Sequence, residues 1–337
     1  MSTSMSTPLS ELIVSPAPHI TSEATVKTAM RDVVIALMPA LLLSLYFFRW
    51  QAATVIITCV VAAVLSEVVA VKLQNKPNTI DDYSAVLTGL LLAFCLPPGL
   101  PLWMAAVGSA SAIIVAKHLF GGLGQNIFNP AHVGRAILLA SWPVAMTTWK
   151  TPIDGVTTAT PMAIIKEVGK LEALGETIAA NELMAQLPSI WDLFIGNVSG
   201  SIGETSALAL IIGGIYLLYK GHIEWRIPGA FIGTVFVLTT LVGVTTGKGL
   251  WYPAFHLFGG GLMIGAIFMA TDWVTSPITK KGRIIFGIGC GLLTTIIRLY
   301  GGYPEGVCYS ILLMNCCTPL IDRYTKSPIY GGRVKNA

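Results

Sequence analysis

The sequence predicts an all-α polytopic membrane protein of about ten transmembrane helices, arranged as two inverted five-helix repeats. Three observations predict it: a composition too apolar for a soluble surface, a series of bilayer-length apolar runs, and a short sequence ending that recurs five runs later. In the 337 residues, the AVILMFWYC set makes up 54% and charged residues only 11%, against roughly 45–50% and about 25% in soluble domains. Only 38 side chains are charged, 21 basic and 17 acidic, too few for a water-facing surface around a chain this long. The net charge of +4 is spread over short basic clusters, which argues against nucleic acid as a partner.

A bilayer core of about 30 Å needs about 20 apolar residues in a helix. Candidate spans fall at 32–48, 52–73, 83–97, 101–119, 131–148, 205–219, 227–246, 252–271, 284–301 and 304–321. The third and sixth are short. The stretch Cys95-Leu96-Pro97-Pro98-Gly99-Leu100-Pro101 reads as a proline-fixed turn between spans three and four. The chain then divides into an arm (1–31), five helices (32–149), one long loop (150–204), five more helices (205–322) and a tail (323–337). The Ser/Thr/Pro-rich start has its first basic residue at Lys27, unlike a cleavable signal.

Lys and Arg set the orientation. With the N-terminus inside, fourteen fall in cytoplasmic segments (Lys27, Arg31, Lys72, Lys76, Lys117, Lys220, Arg226, Lys280, Lys281, Arg283, Arg323, Lys326, Arg333, Lys335). Six fall outside (Arg49, Lys150, Lys166, Lys170, Lys248, Arg298), and Arg135 lies within span five. Both termini are therefore expected in the cytoplasm, and the loop 150–204 on the outer face. Span four ends in His118-Leu119-Phe120-Gly121-Gly122 and span nine in Arg298-Leu299-Tyr300-Gly301-Gly302. Five spans separate these endings, as two units of inverted topology require. Such repeats are typical of secondary transporters, so a transporter or channel is one functional reading.

Ionisable residues inside spans mark protein-facing or watery environments. Glu67 and Arg135 are such residues, expected to pair with each other or to serve ion passage. Asp272 ends span eight, where it caps the next turn or gates a cation. Asp32, Asp81 and Asp82 are expected at helix starts. His118, His132 and His256 are expected to pack near span ends. The six cysteines show no CxxC, and no His, Cys or carboxylate grouping has metal spacing, so no metal is expected. Gly196, Gly200 and Gly203 lead into span six with Glu204 and Thr205. The backbone N–H groups of this candidate ligand pocket favour negative charge, or the glycines simply allow a tight entry; Glu204 would cap the helix or bond ring nitrogens of a bound group. Within 162–190, Ile164, Ile165, Val168, Leu171, Leu174, Ile178 and Leu183 recur at helical spacing, expected to pack on a partner protein or the membrane surface.

The outer loop carries Asp154-Gly155-Val156-Thr157-Thr158-Ala159-Thr160-Pro161. It resembles the flavinylation sequence of ion-motive redox complexes, an Asp-Gly-x-Ser/Thr-x-Ala-Thr pattern whose last Thr is joined to FMN by a phosphoester. Asp154, Gly155, Ala159 and Thr160 match; Thr157 and Thr158 stand where Ser and Gly are better known. A separate flavin transferase makes that bond outside the cytoplasm, and it requires a flexible, accessible segment because threonine is a poor nucleophile. Further stretches extend the resemblance: Ser15-Pro16-Ala17-Pro18-His19-Ile20, Asn129-Pro130-Ala131 before Gly134-Arg135, Gly200 through Ser206, and Met269-Ala270-Thr271-Asp272 before Thr275-Ser276-Pro277. Trp273 stands where the family more often has Pro. Together they resemble the RnfD family, the D subunits of Rnf complexes, and, more distantly, the B subunits of sodium-pumping NADH:quinone reductases. The resemblance implies a flavoprotein component that relays electrons through covalent FMN at Thr160, in a ferredoxin:NAD oxidoreductase that moves Na+ or H+. It also implies other membrane and peripheral proteins of that complex as partners, and a second, non-covalent flavin, riboflavin. No nicotinamide or iron–sulfur motif is visible, so the chain alone is not expected to be fully active.

Overall fold

A computed structural model describes residues 25–76, 80–152, 154–204, 206–303 and 305–326. The Ser15–Ile20 stretch, Thr205, Arg333 and Lys335 lie outside the described residues. Among the described residues, the protein is mostly helical and has no strand beyond one antiparallel bridge, Lys150 to Thr157.

The first helix, α1 (Val26–Leu73), starts at a capping box in which Thr25 accepts from Thr28 N–H. Its 48 residues would make a rod of about 72 Å, over twice a bilayer core. Arg49, at φ 49 and ψ −129, breaks it into two helices of bilayer length. Next come α2 (Ser84–Phe94) and α3 (Leu102–Ser111), the latter prolonged by a π turn, Ala112–His118. Asn129 caps α4 (Pro130–Ser141) from both Ala131 and His132 N–H, and α5 (Pro143–Met146) follows. The long loop folds into α6 (Pro161–Leu174), α7 (Thr177–Met184) and α8 (Ile190–Ile195). The second half holds α9 (Ala207–Lys220), α10 (Arg226–Thr245), α11 (Trp251–Phe258), α12 (Leu262–Ile264) with a π turn to Met269, α13 (Lys280–Tyr300) and α14 (Val307–Tyr324).

Each expected apolar run is thus occupied by a helix or helix pair. By length and apolarity Val26–Leu73, Arg226–Thr245 and Lys280–Tyr300 can cross a bilayer, and Trp251–Phe258 with Leu262–Met269, bent by 60°, adds a fourth. The remaining apolar helices are shorter because they stop at buried turns. The most prominent is Cys95–Leu100, where Ile202 and Gly203 N–H bond the carbonyls of Leu96 and Phe94 at 3.0 and 2.9 Å.

From α2 onward, helix ends alternate between two faces. One gathers Lys27 over the Tyr83 ring, Gln74 with the His118 carbonyl, His222 with Asp32, and Asp322 with Ile278 N–H. The other gathers the Leu96 turn with Ile202, Lys248 with Glu172, and Lys166 with the Gly301 and Tyr303 carbonyls. Between them one apolar core runs through both halves of the chain, from Leu37 and Phe94 to Phe231, Phe286 and Ile311. Where helices meet, glycine lets backbones touch: a Cβ on Gly213 would lie 2.1 Å from the Ala36 carbonyl oxygen. Apolar helices in lipid gain no hydrophobic drive from meeting, so close backbone packing supplies the attraction.

Two expectations are corrected here. Asp32 lies in the second turn of α1 rather than at its start, and binds His222 Nε2 at 2.9 Å. The apolar stripe of 162–190 is used mainly within the loop: Ile164 and Val168 pack on Ala180, Leu171 and Leu183, while Leu174 and Ile178 are exposed.

Candidate functional site

The Asp154–Thr160 stretch folds into a short hairpin. Thr151 N–H bonds the Val156 carbonyl at 2.8 Å, Gly155 N–H bonds that of Thr151 at 3.2 Å, and Thr158 N–H bonds that of Trp149 at 3.1 Å. Gly155 occupies the turn at φ +68, a left-handed conformation glycine adopts without Cβ strain. Asp154, Thr157, Thr158 and Ala159 are exposed.

Thr160 is different. It is 3% exposed, and its hydroxyl accepts from Ala163 N–H at 3.1 Å as the N-cap of α6. Thr-Pro at Ncap and N1 favours that start, since Pro has no N–H to leave unpaired. Ser199 Oγ anchors the strand by donating to the Ala159 carbonyl at 2.8 Å. The expectation of an accessible acceptor hydroxyl is therefore corrected: the flanks are open, but the hydroxyl itself is folded in.

Thr160 lies against a tight cleft with Gly200, Glu204, Gly259 and Gly260. Beside it, a cavity of about 220 Å³ is lined by Arg135, Trp149, Ala159, Tyr303, Glu305 and Tyr309, among others. The Tyr303 and Tyr309 rings stack at 5.5 Å. Arg135 is ion-paired with Glu305, not with Glu67 as one expectation had it. Arg298 holds the α11–α12 break together. It donates to the carbonyls of Gly259 (3.0 Å), Gly260 (2.8 Å), His256 (2.5 Å) and Glu305 (2.9 Å). Four polar atoms in this region, Arg135 Nε, Glu305 Oε1, Glu204 Oε2 and Ser201 Oγ, are buried without hydrogen-bond partners among the described residues.

Glu204 does not cap α9, which Ser206 caps; its Oε1 instead accepts from Ser201 N–H at 3.2 Å. Gly203 N–H bonds Phe94, so it is not a free anion donor. Burial, reinforced by the Glu305 carboxylate and opposed by Arg135, raises the Glu204 carboxyl to about 7. A carboxyl raised on folding stabilises the fold fully below its unfolded value, and this contribution is lost as pH climbs through the folded value. Thermal unfolding at pH 5 and pH 8 is therefore expected to show a smaller fall for Glu204→Gln than for the unsubstituted chain. Equal falls would contradict the assignment.

On the opposite face, a second cavity lies between the two π turns, where Lys117 and Phe268 both line it. Asn126, Asn129, His222, Asp272 and Trp273 also line it. Asp272 caps its own turn, accepting from Val274 N–H (3.4 Å) and the Thr275 hydroxyl (3.2 Å). Burial pushes its carboxyl upward against those bonds. Glu67 is fully buried and bonds Lys117 Nζ at 2.8 Å, with His118 Nε2 also 2.8 Å from its other oxygen. His132 and His256 are buried too.

Thus Thr160, Gly200, Glu204 and Arg135 come together, while Glu67 and Asp272 belong to the other half of the depth. Sequence reasoning missed Lys117, His118, Arg298 and Glu305 as site residues. The signal for Lys117 was a lysine ending an apolar run; for Glu305, a lone acid between two glycine turns.

The sequence profile of the NQR2, RnfD, RnfE family matches residues 13–331. The D subunit of the proton-translocating ferredoxin:NAD(+) oxidoreductase complex from Clostridium ljungdahlii is 52% identical over 324 residues, covering 95% of this chain and 96% of that protein. Its counterpart in the Na(+)-translocating ferredoxin:NAD(+) oxidoreductase complex of Acetobacterium woodii is 52% identical over 324 residues, 95% of each chain. The D subunit of the ion-translocating oxidoreductase complex from Aeromonas salmonicida is 36% identical over 359 aligned positions, 96% of this chain and 99% of that protein. With the profile running over almost the whole length and half the positions identical to those of two such D subunits, the chain belongs to the NQR2, RnfD, RnfE family, on its RnfD branch.

Proposed function

We propose that this chain is the flavin-bearing D subunit of an ion-translocating ferredoxin:NAD oxidoreductase, relaying electrons through FMN joined to Thr160. The observation that carries the reading is the position of Thr160. The last threonine of the flavinylation-like stretch sits between a glycine-lined cleft and a cavity walled by Trp149, Tyr303 and Tyr309, with the Arg135–Glu305 pair at its edge. Aromatic walls suit a flat ring, and a guanidinium with an unpartnered Nε suits its carbonyl or phosphate oxygens. A flavin supplies one- and two-electron chemistry when bound; the protein sets its position, exposure and electrostatic surroundings. Because the Thr160 hydroxyl is buried and bonded, the transferase acts while the first turn of α6 is undone, and the exposed Asp154–Ala159 hairpin is what it recognises.

In this reading the ten apolar segments cross the membrane as two inverted repeats, both ends are cytoplasmic, and the Thr160 loop is outside, as the Lys and Arg distribution requires. The cavity at the cytoplasmic face takes a second, non-covalent flavin. Asn126, whose amide keeps its oxygen and one N–H beyond the bond to the Phe128 carbonyl, and the Asp272 carboxylate offer a donor and acceptors to the polar edge of such a ring.

The test is in-gel flavin fluorescence of the denatured chain from cells containing the transferase. Fluorescence that survives denaturation is expected in the unsubstituted chain and none in Thr160→Ala. Thr160→Asn separates attachment from folding, since Asn caps helices as well as Thr but offers no hydroxyl; it is expected to fold and stay dark. A dark unsubstituted band, with the transferase active on another substrate, removes the covalent FMN from the reading.

A further inference from the structure

Lys117 is 2% exposed, yet it is the start of a hydrogen-bonded chain that reaches the surface. Its ammonium donates to Ser84 Oγ at 2.7 Å. Ser84, itself buried, donates to Asp82 Oδ1 at hydrogen-bond distance, and Asp82 is half-exposed in the turn Ile80–Asp82 before α2. That turn lies on the same face as the start of α1, since Lys27 sits 5.8 Å above the neighbouring Tyr83 ring. At its inner end, Lys117 and Ser84 both line the cavity at this face. The chain therefore links solvent to the cavity interior through three side chains.

Neutralising Glu67 would need only one cation. Glu67 has Lys117 Nζ at 2.8 Å from one oxygen and His118 Nε2 at 2.8 Å from the other. Both partners come from the π turn Ala112–His118. A π turn inside an α-helix is rare and is frequently found at functional sites. A lysine that releases a proton leaves a buried carboxylate short of positive charge, which is costly in low dielectric. A second basic side chain beside the same carboxylate, His118, lowers that cost.

We infer that Asp82, Ser84 and Lys117 form a proton path between the face bearing the start of α1 and this cavity, with Glu67 and His118 as its charge-balancing pair. The inference rests on the reading that the cavity holds a redox group that gains protons when reduced. One passage moves one proton and no electron. Lys117 releases a proton toward the cavity, and Ser84 passes its hydroxyl proton to the neutral Lys117 amine. Protonated Asp82 then replaces the Ser84 proton. The Lys117 ammonium is restored, Asp82 is left a carboxylate, and the next proton comes from water. In the arrangement seen, both hydrogen bonds point from Lys117 toward Asp82, so inward passage reverses the Ser84 hydroxyl.

The test uses the purified chain carrying Thr160→Ala, so that no covalent flavin contributes, with reduced methyl viologen as a proton-free electron donor and a pH-indicator dye in weak buffer. Acid-extractable flavin is measured first. Proton uptake is then timed in this background and with Ser84→Ala, Ser84→Thr or Asp82→Asn added. Ser84→Ala and Asp82→Asn are expected to slow proton uptake about tenfold or more, the scale of losing a positioned proton carrier; extractable flavin is expected to be unchanged in Asp82→Asn, since Asp82 is outside the cavity lining, and the Ser84→Ala rate is read per flavin extracted. Ser84→Thr, which keeps the hydroxyl, restores the rate. Uptake at the unsubstituted rate in both Ser84→Ala and Asp82→Asn, with flavin retained, overturns the path and leaves the flavin assignment standing. Absence of extractable flavin from the Thr160→Ala chain itself overturns the flavin assignment, and the path with it. Should Ser84→Ala fail to fold, the half-exposed Asp82 supplies the deciding variant.

Discussion

Lys117→Met is expected to cost about 3–5 kcal/mol of stability, the scale seen when one partner of a buried ion pair is removed. Methionine fills most of the lysine's volume, so the loss is electrostatic rather than a cavity effect. It leaves the fully buried Glu67 carboxylate short of positive charge and strips Ser84 Oγ of its donor. An uncompensated charge at membrane depth is among the more expensive arrangements a helix bundle can contain. The measurement is thermal unfolding of the detergent-solubilised chain, read by loss of the monodisperse peak in size-exclusion chromatography. Glu67→Gln combined with Lys117→Met is expected to recover most of the loss, because replacing both partners removes the uncompensated charge as well as the pair. A single variant as stable as the parent would show that the pair is solvated and that the path lies open to water.

Arg298→Met is the second substitution expected to act strongly, by roughly 3–5 kcal/mol, since it removes charge-assisted hydrogen bonds to four buried carbonyls worth about 1.5–3 kcal/mol each before relaxation. Those carbonyls belong to His256, Gly259, Gly260 and Glu305. Three sit where the α11 helix ends and the chain bends by 60° into α12. Irregular backbone buried at a helix break persists only where protein groups satisfy it. With FMN at Thr160 as proposed, the same substitution is expected to lower its loading, because Gly259 and Gly260 line the cleft at Thr160. Arg298→Lys is expected to recover only part of the stability: an ammonium has three donors on a flexible stem, where the guanidinium spans four carbonyls with a rigid fork. Unfolding temperature and in-gel fluorescence are read on the same samples. Full loading in an unstable Arg298→Met chain would separate the clamp from the acceptor.

The chain's organisation was legible because it follows from local quantities. Bilayer-length apolar runs mark helices wherever they occur, and all ten expected runs coincide with helices. The short third and sixth runs became the short helices α2 and α9, and the Pro97-Pro98 joint became a buried turn. Thr160-Pro161 opens a helix for the same local reason, an Ncap oxygen followed by a residue without N–H. The exposed hairpin from Asp154 to Ala159 follows from its glycine and its short polar side chains.

Contacts across the bundle were not legible in that way. Glu67 meets Lys117 across 50 residues, and Arg135 meets Glu305 across 170. With 38 charged side chains in the sequence, many opposite pairs have equal standing until the helices are packed, which is why the expected Glu67–Arg135 pair was the wrong choice among them. Burial of the Thr160 hydroxyl is likewise a property of the loop docking on the broken helix, not of the loop's composition. By itself, the sequence determined that this is a helical membrane chain, where its helices lie, and which threonine stands out. Tertiary structure decided which charges neutralise one another, which carbonyls Arg298 satisfies, and which buried side chains lead back to water. The physical reason is that hydropathy and capping act over one or two helical turns, whereas the partner of a buried charge is chosen only when distant segments pack and bring two polar groups within about 3 Å of each other.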